Sequence, residues 1–215
     1  MSAAKVKEYL KKYNMDNRII TVPTTSATVK EAAEALGTEE ARIAKTLSFK
    51  LKDKYIVIVT KGDVKIDNAK YRHTFGEKAH MVAATEVEEK IGHPVGGVCP
   101  FALNDGVEVY LDESLKNFET VFPACGATNN AIEISIEELE KVTNRAAWVD
   151  VTKEKEEYYL KILNRCANRE STPQFYDKLP GVNEEYWNGR TEVSNQDFLG
   201  LVMDYDEEEK VATIE

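Results

Sequence analysis

Residues 45–60 constrain the fold more than any other stretch. "KTLSFKL" (45–51) alternates, with Lys45, Leu47, Phe49 and Leu51 on one face and Thr46, Ser48 and Lys50 on the other. "YIVIVT" (55–60) is apolar on both faces. The first pattern is that of a half-buried strand and the second that of a central strand covered from both sides. The three-residue link "KDK" joins them as a hairpin.

Helices and further strands surround this hairpin. "KVKEYLKKYN" places Val6, Tyr9, Leu10 and Tyr13 at helical spacing, and "RIITVP" reads as a short strand. Thr28 and Glu31 form a capping box for a helix with Val29, Ala32, Ala33 and Leu36 inward, stopping near Gly37. Thr85 and Glu88 cap another helix in the same way. "VEVYL" (107–111), "AIEIS" (131–135) and "AAWVDV" read as strands, and Ser135 with Glu138 caps the helix "IEELEKV". The expectation is an α/β domain over residues 1–153, a mixed β-sheet with surrounding helices.

Composition narrows the function. Of the formal charge of −10, residues 1–153 carry −2 (21 Lys and Arg against 23 Asp and Glu) and residues 154–215 carry −8 (7 against 15). The near-neutral first part leaves room for a local basic patch, so an acidic chain can still meet nucleic acid. No apolar run approaches membrane-spanning length and the first residues lack a signal-peptide core, so a cytoplasmic location with no membrane partner is expected. Cys99, Cys125 and Cys166 are odd in number and far apart, which reads as reduced thiols. With only three scattered histidines, no metal site and no cofactor are expected.

Three features could carry chemistry. Lys45 shares the parity of Leu47 and Phe49, so its ammonium stands at the apolar side of the strand entrance. There it snorkels to water, meets an anion or gives up its proton. "GHPVGGVCP" (92–100) contains Gly96-Gly97-Val98-Cys99-Pro100, a GxxxP segment. Such a bare backbone either makes a tight connection or aims N–H groups at an oxyanion or phosphate. Cys99 and His93 in the same stretch raise a cysteine hydrolase, but the spacing supplies no orienting partner. "KGDVKIDNAKYRHTFGEK" (61–78) mixes Lys61, Lys70, Arg72 and Lys78 with Tyr71 and Phe75, as a solvated helix face or as a contact for single-stranded nucleic acid ends.

In order, "TSATVKEAAEALGTEEARIAKTLSF", "HPVGGVCPFAL" and "ACGATNNAIEISIEEL" resemble the YbaK/prolyl-tRNA-editing family of aminoacyl-tRNA deacylases, over about residues 18–151. Members of this family occur as free-standing proteins and as an insertion domain of bacterial prolyl-tRNA synthetases. The resemblance implies a YbaK-like fold and hydrolysis of the ester joining a wrong amino acid to tRNA, with tRNA(Pro) first among the candidates. By position, Lys45 is the family's functional lysine, Gly96 and Pro100 are the ends of its GxxxP loop, and Gly126 is its late pocket glycine. With Lys45, Gly96 and Pro100 as catalytic residues, Gly97, His93, Gly126 and Thr46 are candidates for substrate binding, and Lys61, Lys70, Arg72 and Lys78 for tRNA binding. The implied partners are mischarged tRNA and prolyl-tRNA synthetase or other translation factors, not DNA. The alternative is a non-catalytic module of the same fold that binds tRNA ends, an aminoacyl nucleotide or a synthetase.

Residues 154–215 read as an acidic C-terminal appendage. "NRESTPQFYDKLP" and "NQDFLGLVMDYDEEEKVATIE" resemble part of the C-terminal β-barrel domain of the collagenase-like peptidase/tRNA-hydroxylation family, over about 164–215. The last stretch reads as a β-hairpin.

Overall fold

The computed structural model describes residues 2–23 and 28–155. In chain order the elements are α1 (Ser2–Lys11), β1 (Ile19–Thr21), α2 (Val29–Leu36), β2 (Ile43–Lys50), β3 (Tyr55–Lys61), β4 (Val64–Ile66), α3 (Asn68–Phe75), α4 (Ala84–Ile91), β5 (Glu108–Asp112), β6 (Thr120–Pro123), β7 (Asn130–Ile132), β8 (Ile134–Ser135), α5 (Ile136–Thr143), β9 (Ala147–Val149) and β10 (Thr152–Glu154). Residues 1–154 form one compact unit. Residues 156–215, with the hairpin expected there, lie outside the described residues. Among the described residues no helix is long and apolar enough to cross a membrane.

Six strands build the main sheet in the order β8-β6-β2-β3-β5-β9. The β2–β3 hairpin is antiparallel, with Lys45 opposite Thr60 and Lys50 opposite Tyr55. β6 joins β2 in parallel, β5 joins β3 in parallel and β9 joins β5 in parallel, so the sheet is mixed as the sequence pattern required. β3 is buried on both faces. Val57 and Val59 join the core beneath α1, α4 and α5, while Ile56 and Ile58 join a second cluster with Phe49, Tyr71, Val149 and Val151. Each such side chain contributes about 1.5–3 kcal/mol on burial, which makes this hairpin the center of the fold.

The capping boxes at Thr28/Glu31 and Ser135/Glu138 form with both reciprocal bonds. The one expected at Thr85/Glu88 does not. α4 starts two residues earlier, from Ala83, which makes no side-chain cap, and Thr85 sits in its first turn. The Thr-x-x-Glu pattern there lies within the helix and not at its cap. "AIEIS" forms two strands because Ile132 pairs with Ile19 of β1 whereas Ile134 pairs with Val121 of β6, so the chain changes partners at Glu133.

Asp112, fully buried at the end of β5, fixes the far side of the sheet. Its carboxylate accepts from Val151 N (2.9 Å), Thr152 Oγ1 (2.7 Å) and Ser114 N (3.0 Å), so both buried oxygens are hydrogen-bonded. Those bonds hold β10, and β10 pairs with β4.

Candidate active site

Lys45 and Thr46 lie where β2 changes neighbors. On one side the β3–β4 turn supplies acceptors for the ammonium of Lys45, which donates to Gly62 O at 3.2 Å and to Val64 O. Val64 belongs to β4, which is held by β10 and thus by Asp112. The lysine charge is therefore placed by backbone carbonyls that are themselves fixed. On its other edge β2 pairs with β6 only at Ile43 and Ala44, opposite Phe122 and Pro123. The chain leaving Pro123 carries Gly126.

The GxxxP loop packs against that same chain. A Cβ on Gly97 would lie 3.0 Å from Gly126 C and Ala127 N, and one on Gly96, whose φ is +79°, would lie 2.8 Å from Thr128 Cγ2. Only glycine permits this backbone-to-backbone approach. Gly96 is exposed, Gly97 and Pro100 are buried, and Gly126 is buried against the start of α1, where an added Cβ would meet Ser2 Oγ at 2.8 Å. Asn130 Oδ1 accepts from Cys125 N and Ala127 N, both at 3.2 Å, and so fixes the turn that receives the loop.

His93 closes the loop from within. It is fully buried, and its Nε2 lies 2.7 Å from Phe101 O, so Nε2 carries the proton and donates. Its Nδ1 then accepts from Ser2 Oγ at 2.6 Å. Both ring nitrogens are engaged, and burial holds the imidazole below its ordinary pKa, against the opposing effect of the Phe101 carbonyl. His93 thus ties α1 to both ends of the loop as a neutral ring. Cys99 Sγ lies 3.5 Å from the protonated Nε2, which offers it no base, and complete burial pushes its thiol up to about 12. The geometry is that of a core thiol, not of a nucleophile.

The basic stretch divides. Lys61 is buried and paired with Glu154 (2.8 Å) and Asp63 (3.3 Å), and Lys70 is paired with Asp150 (2.8 Å) and bonded to Thr152 O (2.9 Å). Both are engaged within the domain. Arg72 and Lys78 are exposed on and just beyond α3. An open groove of about 740 Å³ lies elsewhere, at the β8 end of the sheet, lined among others by Arg18, Glu133, Glu137 and Glu138. Arg18 is paired with Glu138 at 2.8 Å and holds that carboxyl down to about 2. The groove contains none of the predicted site residues, and its carboxylates oppose a phosphate chain. Among the described residues no group of three His, Cys, Asp or Glu is arranged to hold a metal.

Known proteins resemble this chain in sequence and in fold. The chain is 50% identical over 155 residues to the uncharacterized protein YwhH of Bacillus subtilis, a match covering 72% of this chain and 99% of that protein. It is 29% identical over 116 residues to the proline–tRNA ligase of Thermotoga maritima, covering 52% of this chain and 20% of the ligase. A crystal structure described as a candidate trans-editing enzyme for prolyl tRNA synthetase superposes with a TM-score of 0.65 at 27% identity, covering 71% of this chain and 97% of that one. The aminoacyl-tRNA editing domain family matches residues 24–142, which include Lys45, the whole GxxxP loop and Gly126. That match covers more than half of the sequence, and the fold agrees with it, so the chain belongs to the aminoacyl-tRNA editing domain family.

Proposed function

We propose that the protein is a trans-acting deacylase that hydrolyses the ester of a small mischarged amino acid on tRNA, tRNA(Pro) first, and that it works alongside prolyl-tRNA synthetase. The observation that supports this reading is how β2 is held: the Lys45 ammonium is fixed by Gly62 O and Val64 O, and β6, which pairs with β2 at Ile43 and Ala44, leads into the Gly126 turn on which the GxxxP loop packs.

An aminoacyl ester is already activated, so positioning a water and stabilizing the tetrahedral oxyanion suffice. Water adds to the ester carbonyl carbon and the bond to the ribose oxygen breaks. The ribose oxygen takes one proton of the water, and the amino acid leaves as its carboxylate, its second proton passing to solvent. Lys45 supplies positive charge toward the terminal phosphates or the carbonyl. The GxxxP loop supplies a close-fitting wall and backbone donors. A pocket separates substrates differing by one methylene by only about 1–3 kcal/mol, so discrimination against proline rests on size exclusion and on reading the tRNA.

The test is single-turnover deacylation across small amino acids on tRNA(Pro) and other tRNAs. Lys45→Ala lowers the rate by about 10²-fold. It also costs about 1–2 kcal/mol in stability, because Gly62 O and Val64 O lose a charged donor. Lys45→Arg restores little, since a planar fork does not fit a site shaped for an ammonium. An alanine variant that deacylates at the parent rate removes Lys45 from the mechanism.

A further inference from the structure

β2 has a gap along its outer edge. β6 accompanies it only as far as Ala44. Residues 80–82 take up the same edge at Ser48, where Val82 N donates to Ser48 O (3.0 Å) and Lys50 N donates to His80 O (2.8 Å). Backbone groups alternate in direction along a strand, so Ser48 and Lys50 show that even-numbered residues of β2 point away from β3. Thr46 has the same parity. Its N–H and C=O therefore face the opening between β6 and residues 80–82. Its Oγ1 is buried and has no hydrogen-bond partner among the described residues. A strand residue this short of partners is rare, since buried polar groups are almost always paired.

We propose that this one-residue opening seats the aminoacyl group of the substrate. Among the described residues nothing pairs with the Thr46 N–H or C=O, and an edge residue so placed pairs with one residue's worth of extended chain. An aminoacyl ester presents that complement, an α-ammonium donor and an ester carbonyl acceptor on either side of one Cα. The ammonium donates to Thr46 O, with Thr46 Oγ1 as a second acceptor. Thr46 N–H donates to the ester carbonyl oxygen, and this bond strengthens as the oxygen gains charge in the tetrahedral state. The opening is bounded by the chain leaving Pro123, which carries the GxxxP loop against Gly126–Thr128, so the carbonyl carbon lies toward the loop. Proline, whose nitrogen is closed into a ring, brings one fewer ammonium proton and more bulk to the same seat. The proposal rests on the deacylase reading and adds what recognizes the amino acid.

The experiment uses the full chain, labeled with 15N, and 3′-alanylamino-3′-deoxyadenosine, an amide-linked analogue that is not hydrolyzed as an ester. The comparator carries a lactyl group, with a hydroxyl in place of the α-amine. The Thr46 amide signal shifts and its hydrogen exchange slows on binding, and the alanyl compound binds about ten-fold or more tighter than the lactyl one. Thr46→Val keeps the shape and removes the unpartnered hydroxyl. It melts at or above the parent temperature while its preference for alanyl over lactyl shrinks several-fold, the opposite of what a merely structural threonine gives. Shifts confined to other residues, equal binding of the two compounds, or no binding overturn the proposal. In each case, deacylation of alanyl-tRNA that persists leaves the enzyme reading standing. Absence of deacylation on every tRNA overturns both.

Discussion

Gly97→Ala tests whether the contact between the GxxxP loop and the Gly126 turn is as rigid as its geometry implies. The new methyl would stand 3.0 Å from Gly126 C, 3.0 Å from Ala127 N and 3.1 Å from Ala127 Cα. Ordinary contact needs about 3.4 Å or more, so something must yield by a few tenths of an ångström. All three atoms are backbone, and the turn that holds them is tied by Asn130 Oδ1 to two of its amides. Overpacking of this kind costs about 1–3 kcal/mol. At about 2–4 °C per kcal/mol for a domain of this size, the melting temperature falls by about 2–12 °C. Where the loop gives way instead of the turn, stability is partly kept and deacylation suffers, by up to about 10²-fold for a displacement near 1 Å. The control is Val95→Ala in the same loop. Val95 is 59% exposed, so its removal stays within about 0.5 kcal/mol. Thermal melts and single-turnover deacylation are run on both variants. A Gly97→Ala protein that melts and reacts like Val95→Ala refutes the claim that the two backbones need each other.

Three further outcomes are expected. The folded-state pKa of His93 is depressed, so the neutral ring contributes stability above its unfolded pKa of about 6.5, and this is lost as the pH falls below that value. A pH series of melts shows this slope, and it flattens in His93→Gln; an unchanged slope removes His93 as its source. Cys99 reacts with iodoacetamide in the native protein far more slowly than a free thiol, and Cys99→Ala keeps most deacylation, because the buried thiol is held up to about 12; an inactive but well-folded Cys99→Ala restores the nucleophile reading. Asp112→Ala leaves Val151 N, Thr152 Oγ1 and Ser114 N without their acceptor and destabilizes by at least about 3 kcal/mol, whereas Asp112→Asn recovers part of that loss in a denaturant titration.

The hairpin was legible because its two strands carry different periodicities, and period is what burial on one or two faces writes into a chain. The capping boxes at Thr28 and Ser135 were legible for a similarly local reason. β6 was not, because "TVFP" is four residues long and ends in proline, too short for a pattern; its place in the sheet is set by parallel pairing with Ile43 and Ala44, a contact distant in sequence. The environment of Lys61 was missed although a signal existed. It directly follows the doubly buried run "YIVIVT", and extending the strand by one residue places it among buried groups that require a carboxylate partner. Lys45 was found by parity, but its carbonyl partners at Gly62 and Val64 depend on the turn after β3. For His93 the sequence offered a glycine-rich setting that suits a ligand-facing residue as well as a buried one. Only the positions of Ser2 and Phe101 decide between them.

The sheet also bears on how the protein avoids sticking to itself. Its outer strands are short, two residues in β8 and three in β9, so each lateral border offers a neighboring molecule little to zip onto. The exposed template for strand addition is instead moved inside the sheet, to Thr46, with β6 on one side and residues 80–82 on the other. A single residue's length of backbone fits there, but a strand of a second chain, which needs several consecutive pairs to hold, does not. Unpaired peptide groups are ordinarily an aggregation hazard. At Thr46 the flanking chain segments leave room for one residue only, so the opening adds no edge on which a second copy could stack.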